Sequence, residues 1–447
     1  MNFTQNVGIT FFTRLFTLAI SLISSVIIAR LLGPAGKGIL SLVILVPSFI
    51  ALIASLGIEI SNVYYVGRNK YSLQDIIGNS VFTTVSVGIP VGFLLWFLAP
   101  FISSLFLEGI NPLFLKIAAI LIPLTLLSAY CKEILRGEQR IKHYNLISLC
   151  RSAFLMLLIV LLVFILRFGV MGAIISNVLA VFGATAISWL FIRERGNYKF
   201  LPILHKEMFF DSIRFGMKGR LANILQFFNY RFDVFIVSWF LGVENVGYYT
   251  IAVSISELIW YIPNSIGTVL YPKVASSTIE EANLFTPRVC RNSFFLTSLA
   301  ACGLFALSGV LIPAIFGKVF LPSVKPLQVL LPGIVMLSLW KVLSADLIGR
   351  GMPEYYSYTA GISLIFTVFL DFILIPKMGI IGAALASTIS YSLAGFLTLF
   401  WFLKKTGVNL REVILPTRGD LFTYKDAFQR ISAQLLHKSV LNNKKKR

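Results

Sequence analysis

Apolar residues in this chain come in runs of about twenty, separated by short polar stretches, and the pattern holds almost from end to end. A helix needs roughly 20 such residues to cross hydrocarbon. Twelve runs can be marked off, at residues 8–32, 38–58, 76–100, 113–131, 145–167, 171–192, 217–241, 247–270, 292–314, 324–346, 357–375 and 380–403. The pattern predicts an all-α integral membrane protein with twelve transmembrane helices.

The polar breaks between runs carry an internal repeat. Leu32-Gly33-Pro34-Ala35-Gly36-Lys37-Gly38 reads LG-x4-G, and so does Leu241-Gly242-Val243-Glu244-Asn245-Val246-Gly247, an offset of 209 from Gly38 to Gly247. Gly169-Val170-Met171-Gly172-Ala173 recurs as Gly379-Ile380-Ile381-Gly382-Ala383 at an offset of 210. The step from Gly137 to Tyr144 recurs from Gly349 to Tyr356 at an offset of 212. Three matches in one order at nearly one offset predict two six-helix lobes that are parallel repeats. The division is a first lobe over 1–195, a linker over 196–216, a second lobe over 217–404 and a basic tail over 405–447. Within the linker, residues 207–215 predict a short helix lying in the interface. In the tail, Phe428, Ile431, Leu435 and Leu436 at helical spacing predict another against anionic lipid.

Composition agrees: 57% of residues are hydrophobic and 13% charged, about half the charge of a soluble domain. A net charge of +20 would suggest nucleic acid for a soluble protein. Here the Lys and Arg residues fall in alternate connections, which is the positive-inside pattern. One set of connections carries only Arg30, Lys37, Lys116, Arg167, Lys318, Lys325 and Lys377. The other set and the tail are therefore expected on the cytoplasmic side with both termini, and no nucleic-acid partner is expected. The external connections are short, which leaves no room for a large external domain. No Walker A loop or GxGxxG is present, the three histidines have no metal spacing and the four cysteines form no CxxC. No cofactor is expected.

Few charges remain inside the runs: Arg14, Arg151, Arg231 and Lys341, with Glu59, Asp233, Glu257, Asp346 and Asp371. Each costs about 2.5–3.5 kcal/mol at a helix centre, so each needs a reason. Arg231 lies about four turns into its run, too deep to snorkel, and Arg14 about two. Both are candidates to offer guanidinium forks to an anionic group such as a phosphate. Arg151 and Lys341, nearer their helix ends, are read first as snorkelling and second as cavity cations. Asp233 sits two residues from Arg231, on another helix face, so its partner is expected on another helix. Glu257 precedes Pro263, where a span is free to bend. Asp233 and Glu257 are candidate sites for coupling to a proton or sodium gradient, with a plain buried ion pair as the alternative. Glu59 and Asp371 are read as interfacial, and Asp346 as a partner of Lys341 or Arg350.

Ala29-Arg30-Leu31-Leu32-Gly33-Pro34 with Gly38, the block Asp233…Leu241-Gly242…Val246-Gly247-Tyr248-Tyr249…Ala252, and Pro263…Val269-Leu270-Tyr271-Pro272 resemble the Wzx-type oligosaccharide flippases of the polysaccharide transport family. That family shares a superfamily with the lipid II flippase and the multidrug (MATE) exporters, and the resemblance covers essentially the whole chain. It implies two lobes in a V around a basic cavity in the bacterial cytoplasmic membrane. It further implies that an undecaprenyl-pyrophosphate-linked oligosaccharide moves from the inner to the outer leaflet by alternating access. Arg14 and Arg231 would hold the pyrophosphate, and Asn229, Tyr230, Tyr261 and Asn264 would meet sugars. Membrane lipids, a polymerase and a chain-length regulator are the implied partners. Many relatives have fourteen spans. Twelve are counted here, so a lipid-binding groove built from added helices is not assumed. A multidrug cation antiporter of the same fold is the main rival, and it would want an acidic, aromatic cavity. A membrane polymerase or ligase is the second rival, and it would want a long external loop.

Overall fold

A computed structural model describes residues 3–106, 109–194, 196 and 198–415; the amphipathic stretch expected in the tail lies outside them. The described chain is α-helical and without a strand, with short turns between most helices and a longer non-helical connection before Lys206. In order come α1 (Phe3–Ala54), α2 (Ile58–Arg68), α3 (Leu73–Thr83), α4 (Ile89–Phe106), α5 (Pro112–Ala119), α6 (Leu121–Gly137), α7 (Ile141–Ile159) and α8 (Gly169–Arg193). They are followed by α9 (Lys206–Ser256), α10 (Tyr261–Ala275), α11 (Ile279–Phe316), α12 (Val324–Gly349), α13 (Glu354–Met378), α14 (Ile380–Thr406) and α15 (Leu410–Ile414). Among the described residues ten helical stretches are long and apolar enough to cross a membrane. Two of them, Ile9–Ala54 and Gly219–Ala275, run to 46 and 57 residues, long enough for two crossings each. The fold is that of a multi-pass membrane protein, and the arrangement is compatible with twelve crossings.

Both double-length stretches break at the first glycine of an LG-x4-G motif. Gly33 has φ 67° and ψ −174°, and Gly242 has φ 79° and ψ 174°. Only glycine occupies that region without strain of about 1–3 kcal/mol. The last glycine of each motif makes the closest approach. A Cβ on Gly38 would overlap the Val243 carbonyl, and a Cβ on Gly247 would overlap the Pro34 carbonyl. The contact is reciprocal: Val243 is the counterpart of Pro34, and the Ser41 hydroxyl meets its own counterpart Thr250 at 3.4 Å, 209 residues on.

The other two matches hold in three dimensions as well. A Cβ on Gly137 would stand 2.8 Å from the Val66 Cβ, and one on Gly349 would stand 2.9 Å from the Val274 Cβ. Gly169 and Gly379 are both left-handed, and beyond them Gly172 packs on the Leu162 carbonyl as Gly382 does on that of Leu374. Small residues let helix backbones come this close.

The stretch expected to form a separate interfacial helix, residues 207–215, is instead the opening of α9. No proline or glycine interrupts it before Gly216, and the helix continues through. The bend expected near Pro263 is a single 3₁₀ turn, Glu257–Trp260, between α9 and α10. The described chain forms two compact units. One holds residues up to Ser254 with Ser308–Leu327 and Leu364–Ser387; the other holds Ile255–Leu307, Gln328–Ser363 and the described residues from Thr388 on.

Candidate functional site

Asp233 and Asp371 form the core of an acidic site inside the first compact unit. Asn229 and Asp233 are one turn apart on α9, and Thr367 and Asp371 are one turn apart on α13, so each pair shares a helix face. The Thr367 hydroxyl donates to Asn229 Oδ1 at 2.9 Å, which sets the two helices in register and brings the carboxylates of the next turn into electrostatic reach of each other. Asp233 is well served. The Tyr249 hydroxyl donates to Oδ2 at 2.5 Å, the Ser387 hydroxyl at 3.2 Å, and the Val234 N–H to Oδ1 at 2.7 Å. Its two side-chain partners thus come from beyond the Gly242 break and from α14, as the offset from Arg231 predicts.

Asp371 is different. It is fully buried, and neither carboxylate oxygen has a hydrogen-bond partner among the described residues. The expectation of an interfacial Asp371 is therefore corrected: α13 runs on to Met378, two turns further, and takes the carboxylate inside. A buried carboxylate without a donor is costly unless a proton or a cation balances it. Oxygen groups near the pair are the two acids, the Asn229 amide oxygen and the hydroxyls of Thr367, Ser387 and Tyr249, with the Arg231 charge also acting on Asp233. Such a set suits a proton or a hard cation such as sodium. Among the described residues no group of three or more His, Cys, Asp and Glu gathers.

A basic cluster stands in the same unit, built from α1, α6 and α7. Asn145 donates to the Thr10 hydroxyl at 2.8 Å, tying α7 to α1. One turn on from Thr10 is Arg14, and about two turns on from Asn145 is Arg151; both side chains are exposed. The charges of Arg151, Arg136 and Arg14 all bear on Lys132 of α6. Lys132 lies over the Tyr144 ring at 4.4 Å, and the Arg136 guanidinium is 5.9 Å from the same ring. Glu133 offsets part of this charge through Arg136 at 2.7 Å. Lys132 and Arg136 lie just beyond the apolar run at 113–131, so hydropathy leaves them in a connection and not among the site residues. α6 continues to Gly137, so Lys132 belongs to the helix. A helix end set at Gly137, the glycine of the repeat, would have found it.

The remaining candidates lie elsewhere. Arg231 is partly buried, and its guanidinium reaches the Tyr230 carbonyl at 3.3 Å while its charge acts on Asp233. Tyr230 accepts from Gln226 at 3.1 Å. Asn229 is fully buried against Thr367, so in this structure it serves the acidic site. In the second unit, Lys341 stacks over Trp260 at 4.8 Å within electrostatic reach of Glu257. Tyr261 and Asn264 are exposed on α10. Asp346 pairs with Arg350 at 2.6 Å and accepts from Thr286 at 2.7 Å, so of its two expected partners it takes Arg350. Glu59, read as interfacial, is instead buried against Arg220, where the close backbone approach of Gly57 and Gly216 brings α2 and α9 together.

With this geometry in hand, comparison with known proteins is specific. Residues 27–325 match the family described as polysaccharide biosynthesis protein. The chain is 24% identical over 399 residues to the Shigella flexneri protein described as "Putative O-antigen transporter", covering 85% of this chain and 93% of that one. In three dimensions it is similar to the lipid II flippase MurJ in an inward closed conformation, with TM-score 0.77 and 18% identity, over 90% of this chain and 88% of that one. It is also similar to an inward-facing multidrug MATE transporter, with TM-score 0.71 and 18% identity, over 88% and 94% of the two chains.

Proposed function

The chain belongs to the polysaccharide biosynthesis protein family, and from that premise we propose that it is a flippase for lipid-linked oligosaccharide. Its cargo would be an oligosaccharide unit on undecaprenyl pyrophosphate, moved from the inner to the outer leaflet of a bacterial cytoplasmic membrane. The observation that carries this reading is the cluster of Arg14, Lys132, Arg136 and Arg151, four cations whose charges bear on one another with Glu133 as the acid beside them. Guanidinium forks beside an ammonium match the several oxygens of a pyrophosphate. Cations held near hydrocarbon are costly and need an anionic partner. The Lys- and Arg-rich connections would face the cytoplasm, where the lipid-linked unit is made. A cation-extruding antiporter of the same fold would bring its cargo against these four positive charges, which disfavours that reading.

The acidic site supplies a means of coupling. A proton or sodium ion entering at Asp233 and Asp371 would balance the buried charge, and its release on the other side would reset the cycle. One charge moved through 100 mV is worth about 2.3 kcal/mol. No covalent step is involved, and the polymerase and chain-length regulator of surface-glycan assembly would take over after translocation.

The test is made in cells that lack the chromosomal copy and depend on a plasmid copy for surface polysaccharide. Arg14→Ala, Lys132→Ala and Arg151→Ala together should lower surface glycan by about tenfold or more, the factor for each 1.4 kcal/mol of lost binding. The lipid-linked unit should accumulate inside. Wild-type surface glycan at equal protein level would reject the reading.

A further inference from the structure

We infer that the ion pair between Glu59 and Arg220 is a separable latch on the seam between α2 and α9, one that parts and re-forms during the transport cycle. The inference rests on the transport reading above. The pair joins the two sequence repeats, since Glu59 belongs to the second span of the first half and Arg220 to the opening of the second half. Arg220 holds both the Glu59 carboxylate and the Ser55 hydroxyl, and the Tyr130 hydroxyl donates to the Ser55 carbonyl at 3.0 Å. Both charged residues are buried, at 9% and 8% exposure.

Three features distinguish this contact from a permanent core pair. First, it is incompletely satisfied: Glu59 Oε2 and Arg220 Nε are buried without a hydrogen-bond partner among the described residues. A buried pair in that condition roughly breaks even against two hydrated charges, so parting costs little net free energy. Second, the backbones themselves meet beside the pair, with the Tyr64 and Phe215 rings stacked further along the same seam at 4.6 Å. Gly57 and Gly216 meet backbone to backbone, and a Cβ on either would overlap the other. Third, the backbone turns sharply at this point, with Leu56 at φ 53° and Gly57 at φ 73° between α1 and α2. Left-handed residues at an element end are where a helix can swing.

The contacts at the LG-x4-G end supply the contrast. There the two halves meet by symmetric glycine contacts and by Arg30, which donates to the carbonyls of Ala314 and Ile315 at 2.5 and 2.7 Å. Each is a backbone contact. The ion pair has no such symmetry, for the repeat counterparts of Glu59 and Arg220 are Thr268 and Phe11, both exposed and uncharged. The fold therefore does not require the pair twice, and a role at one seam is what remains.

The test uses the full-length protein in lipid nanodiscs, with Cys131, Cys150, Cys290 and Cys302 replaced by alanine and, as reporter, Ser212→Cys, a fully buried position on α9 one turn before Gly216. Labelling by a soluble maleimide should be slow while the latch holds. Glu59→Gln should speed it about tenfold, within the range of couplings between linked two-state elements. Arg220→Met is the second route to the same loss, and the exchanged pair Glu59→Arg with Arg220→Glu should restore slow labelling. A second reporter, Ser188→Cys in buried α8, should stay slow throughout. An unchanged rate with Glu59→Gln and Arg220→Met, or an equal rise at position 188, overturns the latch. Failure of the unaltered protein to move glycan would overturn the transport reading and leave the labelling result standing.

Discussion

At the scale of single residues the costly group is Asp371, a carboxylate sealed from solvent and without a hydrogen-bond partner among the described residues. Replacing it by the isosteric amide removes the charge and keeps the shape. Asp371→Asn should therefore leave the melting temperature in detergent unchanged or raised, where a structural carboxylate would lower it. Transport should lose its response to an imposed sodium or pH gradient. One coupled charge at 100 mV is worth about 2.3 kcal/mol, so up to about a fiftyfold bias should vanish. Gradient-driven uptake that persists in Asp371→Asn would remove this residue from the coupling. Asp233 was legible in the sequence because an acid two positions from an arginine in an apolar run demands an explanation. Asp371 was not, because its place relative to lipid depends on where α13 ends, and helix ends are the weakest part of any hydropathy reading. The four-residue spacing of Asn229 and Asp233, repeated in Thr367 and Asp371, was the available signal.

At the scale of elements, the two LG-x4-G corners do what their glycines allow. Gly242→Ala should cost about 1–3 kcal/mol through backbone strain alone, and Gly247→Ala more, because the added methyl meets the Pro34 backbone. Gly303, mid-helix in α11 with open space around it, is the control: Gly303→Ala should be neutral or stabilising by about 0.5–1 kcal/mol. Thermal unfolding followed by circular dichroism ranks the three, and equal effects would mean that the reciprocal corner contact carries no load. The repeat was readable from sequence because backbone-to-backbone contacts force glycine at fixed positions. The continuity of α9 back to Lys206 was not, since residues 207–215 are amphipathic and fit an interfacial helix equally well. Only the uninterrupted backbone hydrogen bonding tells them apart. Lys132 escaped notice for the same reason: hydropathy ends a span where charge begins, whereas α6 continues to Gly137.

For the whole molecule, the function we propose has a cationic cluster binding the pyrophosphate of a lipid-linked glycan while an acidic site exchanges a proton or sodium ion. The class of fold was plain from hydropathy and from the repeat. The site was only half plain, because which charges gather depends on contacts between helices far apart in sequence. The most direct measurement places the purified protein in proteoliposomes that carry a fluorescent polyprenyl-pyrophosphate oligosaccharide in both leaflets, and quenches the outer leaflet with a membrane-impermeant reductant. With the unaltered protein the protected fraction should fall well below that of protein-free vesicles. With Arg14→Ala, Lys132→Ala and Arg151→Ala together it should stay at the protein-free level. A protected fraction that is the same with the unaltered protein as without it would contradict the account.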